Sequence, residues 1–218
     1  MITLSSFNDL KERIRSDLAD RIPVTFLDEE LFKFTIEGAE LIYDYVAQAQ
    51  PRLLETKYSA TVLKGEYEID LPSDIMLLGD IWVSDSSGMM YKVVRVGKRT
   101  TLLYTSTFGI PKYATVYGTK LVIAPKPSSD IITYLYYVPV YTPPTTFDDD
   151  IGLNPMFDMM VVEYAIIRAH NRNARQPVVE QQFFNLKSET LRQILNRMGD
   201  EKITMKKTMY EDYWDTSW

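Results

Sequence analysis

The hydrophobic period of this chain switches twice, at Pro51 and again at the segment Thr142-Pro143-Pro144-Thr145-Thr146, and no other feature limits the fold so much. Before Pro51 the period is helical. Phe7, Leu10, Ile14 and Leu18 recur three or four residues apart, as one face of a helix requires. Ser6 followed by Asp9 reads as an N-cap with an acidic first turn. Pro23 closes that segment. Thr25 or Asp28 reads as the cap of a second helix. Its Leu31, Phe34, Leu41, Ile42, Tyr45, Val46 and Ala49 keep helical spacing until Pro51 stops it.

Between the two switches the chain is rich in Val, Ile, Tyr and Thr and is cut at short intervals by turn residues. These include Lys64-Gly65, Pro72-Ser73-Asp74, Ser86-Ser87-Gly88, Gly118 and Pro125-Lys126-Pro127. Strand-length runs lie between them, at 58–63, 67–71, 75–83, 89–96, 113–117, 121–124 and 131–138. Such spacing predicts an antiparallel β unit, a small sandwich or barrel. Residues 98–108 read as a short helix crossing between two halves of the sheet.

After the Thr/Pro linker and Asp148-Asp149-Asp150, Asn154-Pro155 gives a helix start with Pro at the first position. Met156, Met159, Met160, Glu163, Ile167 and His170 run along a third helix. Gln176-Pro177 repeats the start signal for a fourth, with Phe183, Phe184, Leu186, Leu191, Ile194, Leu195 and Met198, and Gly199 reads as its stop. The expected fold class is α+β: a helical bundle from both chain ends, an inserted antiparallel β-sandwich or barrel, and an extended C-terminal arm. The corresponding boundaries are 1–55, 56–141, 142–199 and 200–218.

Composition removes several function classes. Cys is 0 and His is 1, which excludes a disulfide framework, a thiolate or His-rich metal centre and a cysteine nucleophile. No apolar run reaches the length of a membrane span, and residues 1–20 are charged and amphipathic, unlike a secretion signal. The net charge of −6 does not favour nucleic acid globally, although a local patch could. No phosphate-loop, dinucleotide, nucleophile-elbow or zinc-protease motif occurs. His170 sits among Arg168, Asn171, Arg172 and Arg175, cationic company for a metal ligand. Asp148, Asp149 and Asp150 lack the alternate spacing of a calcium loop. Glu66, Glu68 and Asp70 read as the polar face of a half-buried strand. Neither a catalytic residue, a cofactor nor a metal is expected.

Surfaces for partners are the remaining signal. Lys92, Arg95, Lys98 and Arg99 lie on a hairpin and the following turn, suited to phosphates or carboxylates. Arg168, Arg172 and Arg175 read as one helix face for a subunit contact. Tyr210, Tyr213, Trp214 and Trp218 place four aromatics in a terminal segment, as pocket-filling anchors would. A Tyr count of 15 against 9 Gly fits half-buried strands and interfaces alike.

Four stretches together resemble the head-to-tail connector (adaptor) proteins of tailed bacteriophages. They are the helix Leu31 to Gln50; Tyr-Glu-Ile-Asp-Leu-Pro-Ser-Asp at 67–74 with Ile-Met-Leu-Leu-Gly-Asp-Ile-Trp-Val after it; Phe-Gly-Ile-Pro-Lys-Tyr-Ala-Thr-Val-Tyr-Gly-Thr-Lys-Leu-Val-Ile-Ala-Pro-Lys-Pro at 108–127, leading to Ile-Thr-Tyr-Leu-Tyr-Tyr; and the Pro-rich linker with a helix near Pro155. They span roughly residues 31–174, and their order and spacing carry the resemblance. It implies a non-enzymatic virion protein at the head–tail junction, assembled in the host cytoplasm. It also implies a homo-oligomeric ring of about twelve subunits with one repeated heterologous interface. The ring would sit below the portal protein, meet tail or further neck proteins, avoid membranes, and pass DNA without sequence-specific binding. The competing readings are another neck or tail ring protein, or a tail or baseplate carbohydrate-binding module. The last predicts an outward aromatic platform at Trp82 or Tyr136.

Overall fold

The computed structural model describes residues 4–19, 25–172 and 175–210, with side chains as far as Arg197. The chain divides into two compact units, residues 51–140 and the remainder from both ends.

The helical unit holds α1 (Phe7–Asp17), α2 (Asp28–Ala49), α4 (Asp158–His170) and α5 (Gln176–Tyr210). Helix α1 opens as its sequence dictates, with the Asp9 carboxylate accepting from the backbone N–H and hydroxyl of Ser6, both at 2.8 Å. Helix α2 begins differently from expectation. Leu27 occupies the cap position and Asp28 is the first helical residue. The Asp28 carboxylate faces Arg15 and Lys11 of α1 and so does not cap. Phe7, Leu10, Ile14, Leu31, Phe34, Ile42, Tyr164 and Phe183 are buried in this unit. At Gly38 a Cβ would stand 2.8 Å from Cδ1 of Tyr164, so the α2–α4 approach requires glycine.

The Thr/Pro segment is not a loose linker. Phe147 packs at a steep tilt against Phe7 and edge-on against Phe32, with ring centroids 5.1 and 4.9 Å away. The backbone of Ile151 donates to Ser5 and that of Asn8 to Phe147. Asn154 accepts from the Met156 N–H at 3.0 Å and opens a 3₁₀ turn, Pro155–Phe157, ahead of α4. Helix α4 stops at His170, where the side-chain amide of Asn171 donates to the Ile167 carbonyl. Helix α5 does not stop at Gly199. It runs to Tyr210 because a single helical glycine costs only about 1 kcal/mol and its neighbours are good helix formers.

The β unit is ordered β1 (Thr56–Val62), β2 (Glu68–Asp70), β3 (Ile75–Ser84), β4 (Met90–Arg95), α3 (Lys98–Tyr104), β5 (Phe108–Gly109), β6 (Tyr113–Tyr117), β7 (Lys120–Ala124), β8 (Lys126–Pro127) and β9 (Ile131–Pro139). Seven strands form one sheet in the order β1-β9-β3-β4-β6-β7-β2, while β5 and β8 pair separately. Strands β1 and β2 stand at opposite ends of that order, yet only residues 63–67 separate them. An extended chain of that length reaches at most roughly 20 Å. The sheet must therefore curl until its two edges nearly meet, giving a nearly closed barrel. Val62 from β1 and Ile69 from β2 share its core with Ile81, Val83, Val93, Leu121, Ile123 and Leu135.

Two pairings depart from the antiparallel expectation: the short β5–β8 pair is parallel, and so is one pair within the seven-stranded sheet. Strands β4 and β6 run parallel, Val94 opposite Tyr113 and Arg95 opposite Ala114. A parallel pair needs a long crossover, and residues 96–112 with α3 supply it. Thr101 of α3 is buried, and Tyr104 of the same helix stacks on Tyr113 at 5.1 Å.

Candidate functional site

Among the described residues no group of His, Asp and Glu is arranged to hold a metal ion. Four of the acidic residues singled out in the sequence, Asp148, Asp149, Glu66 and Glu68, have structural partners. Asp149 accepts from the backbone N–H groups of Thr146 and Thr145 and from the Thr145 hydroxyl, and these hold its carboxyl down to about 2. Asp148 accepts from the Asn8 amide at 2.6 Å. Glu68 pairs with Lys120 across β2 and β7 at 3.0 Å, and Glu66 accepts from the Leu63 N–H. Asp85 caps the β3–β4 turn through Ser87 and Met89. His170 is exposed at the last turn of α4.

The three arginines read as one face do not form one. Helix α4 ends before Arg172 and Arg175. Arg168 points at α2, where its Nε donates to Glu37 at 3.0 Å, with the two side chains only 14% and 15% exposed. The same guanidinium lies 5.2 Å from the Phe34 ring centre and donates to the Asn171 carbonyl. Arg172 reaches Glu30 at 3.4 Å and covers Phe26. Both tie the end of α4 to α2. Arg175 is exposed just before α5.

The second basic set is placed otherwise. Lys92 on β4 pairs with Asp80 of β3 at 3.1 Å. Arg95 is exposed at the end of β4, and Lys98 and Arg99 are exposed in the first turn of α3. The Lys98 ammonium stands 3.5 Å over the Tyr117 ring. Tyr210 ends α5 with its side chain outside the described residues, and Tyr213, Trp214 and Trp218 lie outside them altogether.

Trp82 and Tyr134 stand opposite each other on β3 and β9, beside Lys92 of β4. Lys57 covers the Tyr134 ring at 4.0 Å, and Lys92 lies 5.9 Å from the Trp82 ring centre. Trp82 and Tyr136, the two rings expected to face outward, are both half-buried, as is Tyr134.

A feature that the strand and motif readings passed over lies on α3 and the segment after it. Leu102, Leu103, Tyr104, Phe108 and Ile110 are all exposed, Leu103 at 69% and Phe108 at 62%. The signal that marks this segment is the distribution of charge. Residues 86–129 contain seven Lys and Arg and no Asp or Glu. In the helical unit a shallow groove between α2 and α5 is lined by Leu41, Asp44, Tyr45, Gln48 and Phe184, with the Tyr45 and Phe184 rings 5.5 Å apart.

Comparison with known proteins agrees with the layout. The model of one protein family, described as SU10 adaptor protein, matches residues 5–207. No curated protein matches the sequence significantly.

Proposed function

The chain belongs to the SU10 adaptor protein family, a structural adaptor protein of phage, and we propose that it builds a ring below the portal that joins head to tail and continues the DNA channel. The observation that carries this reading is the extent of the family match, which takes in both helical segments and the whole β unit. Family membership supports the reading of the chain as a virion component that meets portal and tail proteins.

The physical requirements of such a ring are modest. Each subunit needs two different surfaces that fit each other, so that one contact repeats around an axis. It needs packed bodies to carry those surfaces, and each unit has a core of its own, helical in one and a curled sheet in the other. It needs no bond-making chemistry, in keeping with a structural adaptor family. A lumen that passes DNA must not hold it, and a net charge of −6 disfavours a grip on phosphate. Arg175 and the terminal aromatics remain candidates for contacts with the portal or a neighbour.

The test is to image particles produced without this chain. Heads that package DNA but carry no tail, restored by supplying the chain in trans, are the expected result. Normally tailed particles would overturn the head-to-tail role.

A further inference from the structure

The two units are charged differently. Residues 51–140 contain ten Lys and Arg against eight Asp and Glu, a net of +2, so the remaining residues carry −8 of the chain's −6. The positive surplus is concentrated. Of the seven cations in residues 86–129, Lys92 pairs with Asp80 and Lys120 with Glu68. Arg95, Lys98, Arg99, Lys112 and Lys126 have no carboxylate partner among the described residues. Arg99 stands one helical turn before the exposed Leu103 on α3, and Arg95, Lys98 and the exposed Phe108 lie on the same β4–α3–β5 stretch.

That combination selects the kind of partner. Phosphates would engage the cations but gain nothing from two large apolar side chains left in water. A protein surface with an apolar centre and an acidic rim engages both, because apolar burial supplies affinity and opposite charge supplies orientation.

The helical unit offers such a surface. The groove between α2 and α5 presents Leu41, Tyr45 and Phe184. Along its α2 edge run Glu40 and Asp44, both exposed, one helical turn apart and with no cation against either among the described residues. Like charges at i and i+4 oppose the helix, a cost that a cation from outside would remove. Cations without carboxylates on one surface thus match carboxylates without cations on the other.

We propose that the apolar ridge of Leu103 and Phe108, rimmed by Arg95, Lys98 and Arg99, seats in the α2–α5 groove of a second copy, with Glu40 and Asp44 receiving the cations. This contact is heterologous: each copy offers the ridge to one neighbour and the groove to the other. It rests on the ring reading above and names the surfaces that would close the ring.

Charge reversal with rescue tests it. Self-association of the full chain, alone and with portal protein, is measured for Lys98→Glu/Arg99→Glu, for Glu40→Lys/Asp44→Lys, and for the four changes together. Each pair should weaken assembly about tenfold or more. The combination should restore most of it, which a merely misfolded variant could not do. In addition, because Cys is 0, a chain carrying Leu103→Cys and Gln48→Cys can be treated with a short thiol-specific crosslinker without background. A ladder of covalent multimers is expected. Wild-type rings that survive both charge reversals and give no ladder would overturn this interface while leaving the ring intact. So would two weakened pairs whose combination stays weak. A wild-type chain that remains monomeric, alone and with portal, would overturn the ring reading and this contact with it.

Discussion

The helical unit and the β unit use their charges in opposite ways. In the helical unit the cations are drawn inward to hold helices together: Arg15 and Lys11 to Asp28, Arg168 to Glu37, Arg172 to Glu30 and Lys187 to Glu163. In the β unit the barrel closes on aliphatic side chains, and Arg95, Lys98, Arg99 and Lys112 are exposed without a carboxylate partner among the described residues. The units also differ in how the chain completes them. The β unit is one continuous stretch, whereas the helical unit needs residues from both ends. Arg168 and Arg172 thus serve as fold contacts, whereas Arg95, Lys98 and Arg99 are an available surface. Sequence alone gives the two kinds the same appearance.

The sharpest way to break this comparison is through the two cores. Leu135 is fully buried in the barrel, and Phe183 is fully buried against Tyr164 and Phe184. Leu135→Ala should cost about 2–5 kcal/mol and Phe183→Ala about 3–5 kcal/mol. Hydrogen exchange should show lost protection centred on the strands in the first variant and on α2, α4 and α5 in the second. Equal loss everywhere in both variants would contradict the division into two units.

Next in size is Gly38→Ala. The new methyl would meet a buried tyrosine ring at the α2–α4 contact, and overpacking of this kind costs about 1–3 kcal/mol. Unchanged thermal stability would show that α2 and α4 can separate cheaply.

The smallest effect tests the inward-facing charges. The Arg15 guanidinium, and less strongly Lys11, hold the Asp28 carboxyl below its ordinary range, against the opposing pull of burial. A carboxylate with a lowered folded pKa contributes stability that is complete above its unfolded value near about 4 and fades as pH falls below it. Asp28→Asn should therefore cost roughly 1–2 kcal/mol at neutral pH, allowing for partial solvent screening. Denaturant titrations across pH should show the difference from wild type shrinking below about pH 4. A difference that persists undiminished in acid would assign the loss to packing.

Most of the architecture was legible because hydrophobic period is a local signal. The α+β class, the helices at both ends and all seven main strands follow from the spacing of apolar residues and from the turn residues between them. Partner choice is not local. Nothing in residues 89–96 or 113–117 says that β4 and β6 run parallel; the crossover through α3 decides it. Asp28 has the composition of a helix cap, but Arg15 claims its carboxylate from another helix. Arg168, Arg172 and Arg175 would share a face only if α4 continued, and Asn171 ends it. The acid-free stretch 86–129 was visible throughout. It gains meaning only once the exposed Leu103 and Phe108 are found beside its cations.

The account rests most heavily on assembly into a closed ring. Sedimentation velocity of the full chain over a wide concentration range, alone and mixed with portal protein, with electron microscopy of the large species, tests it directly. The account predicts closed rings of a single copy number whose formation weakens as salt is raised. A chain that stays monomeric in both conditions, or that grows into open filaments, would contradict it.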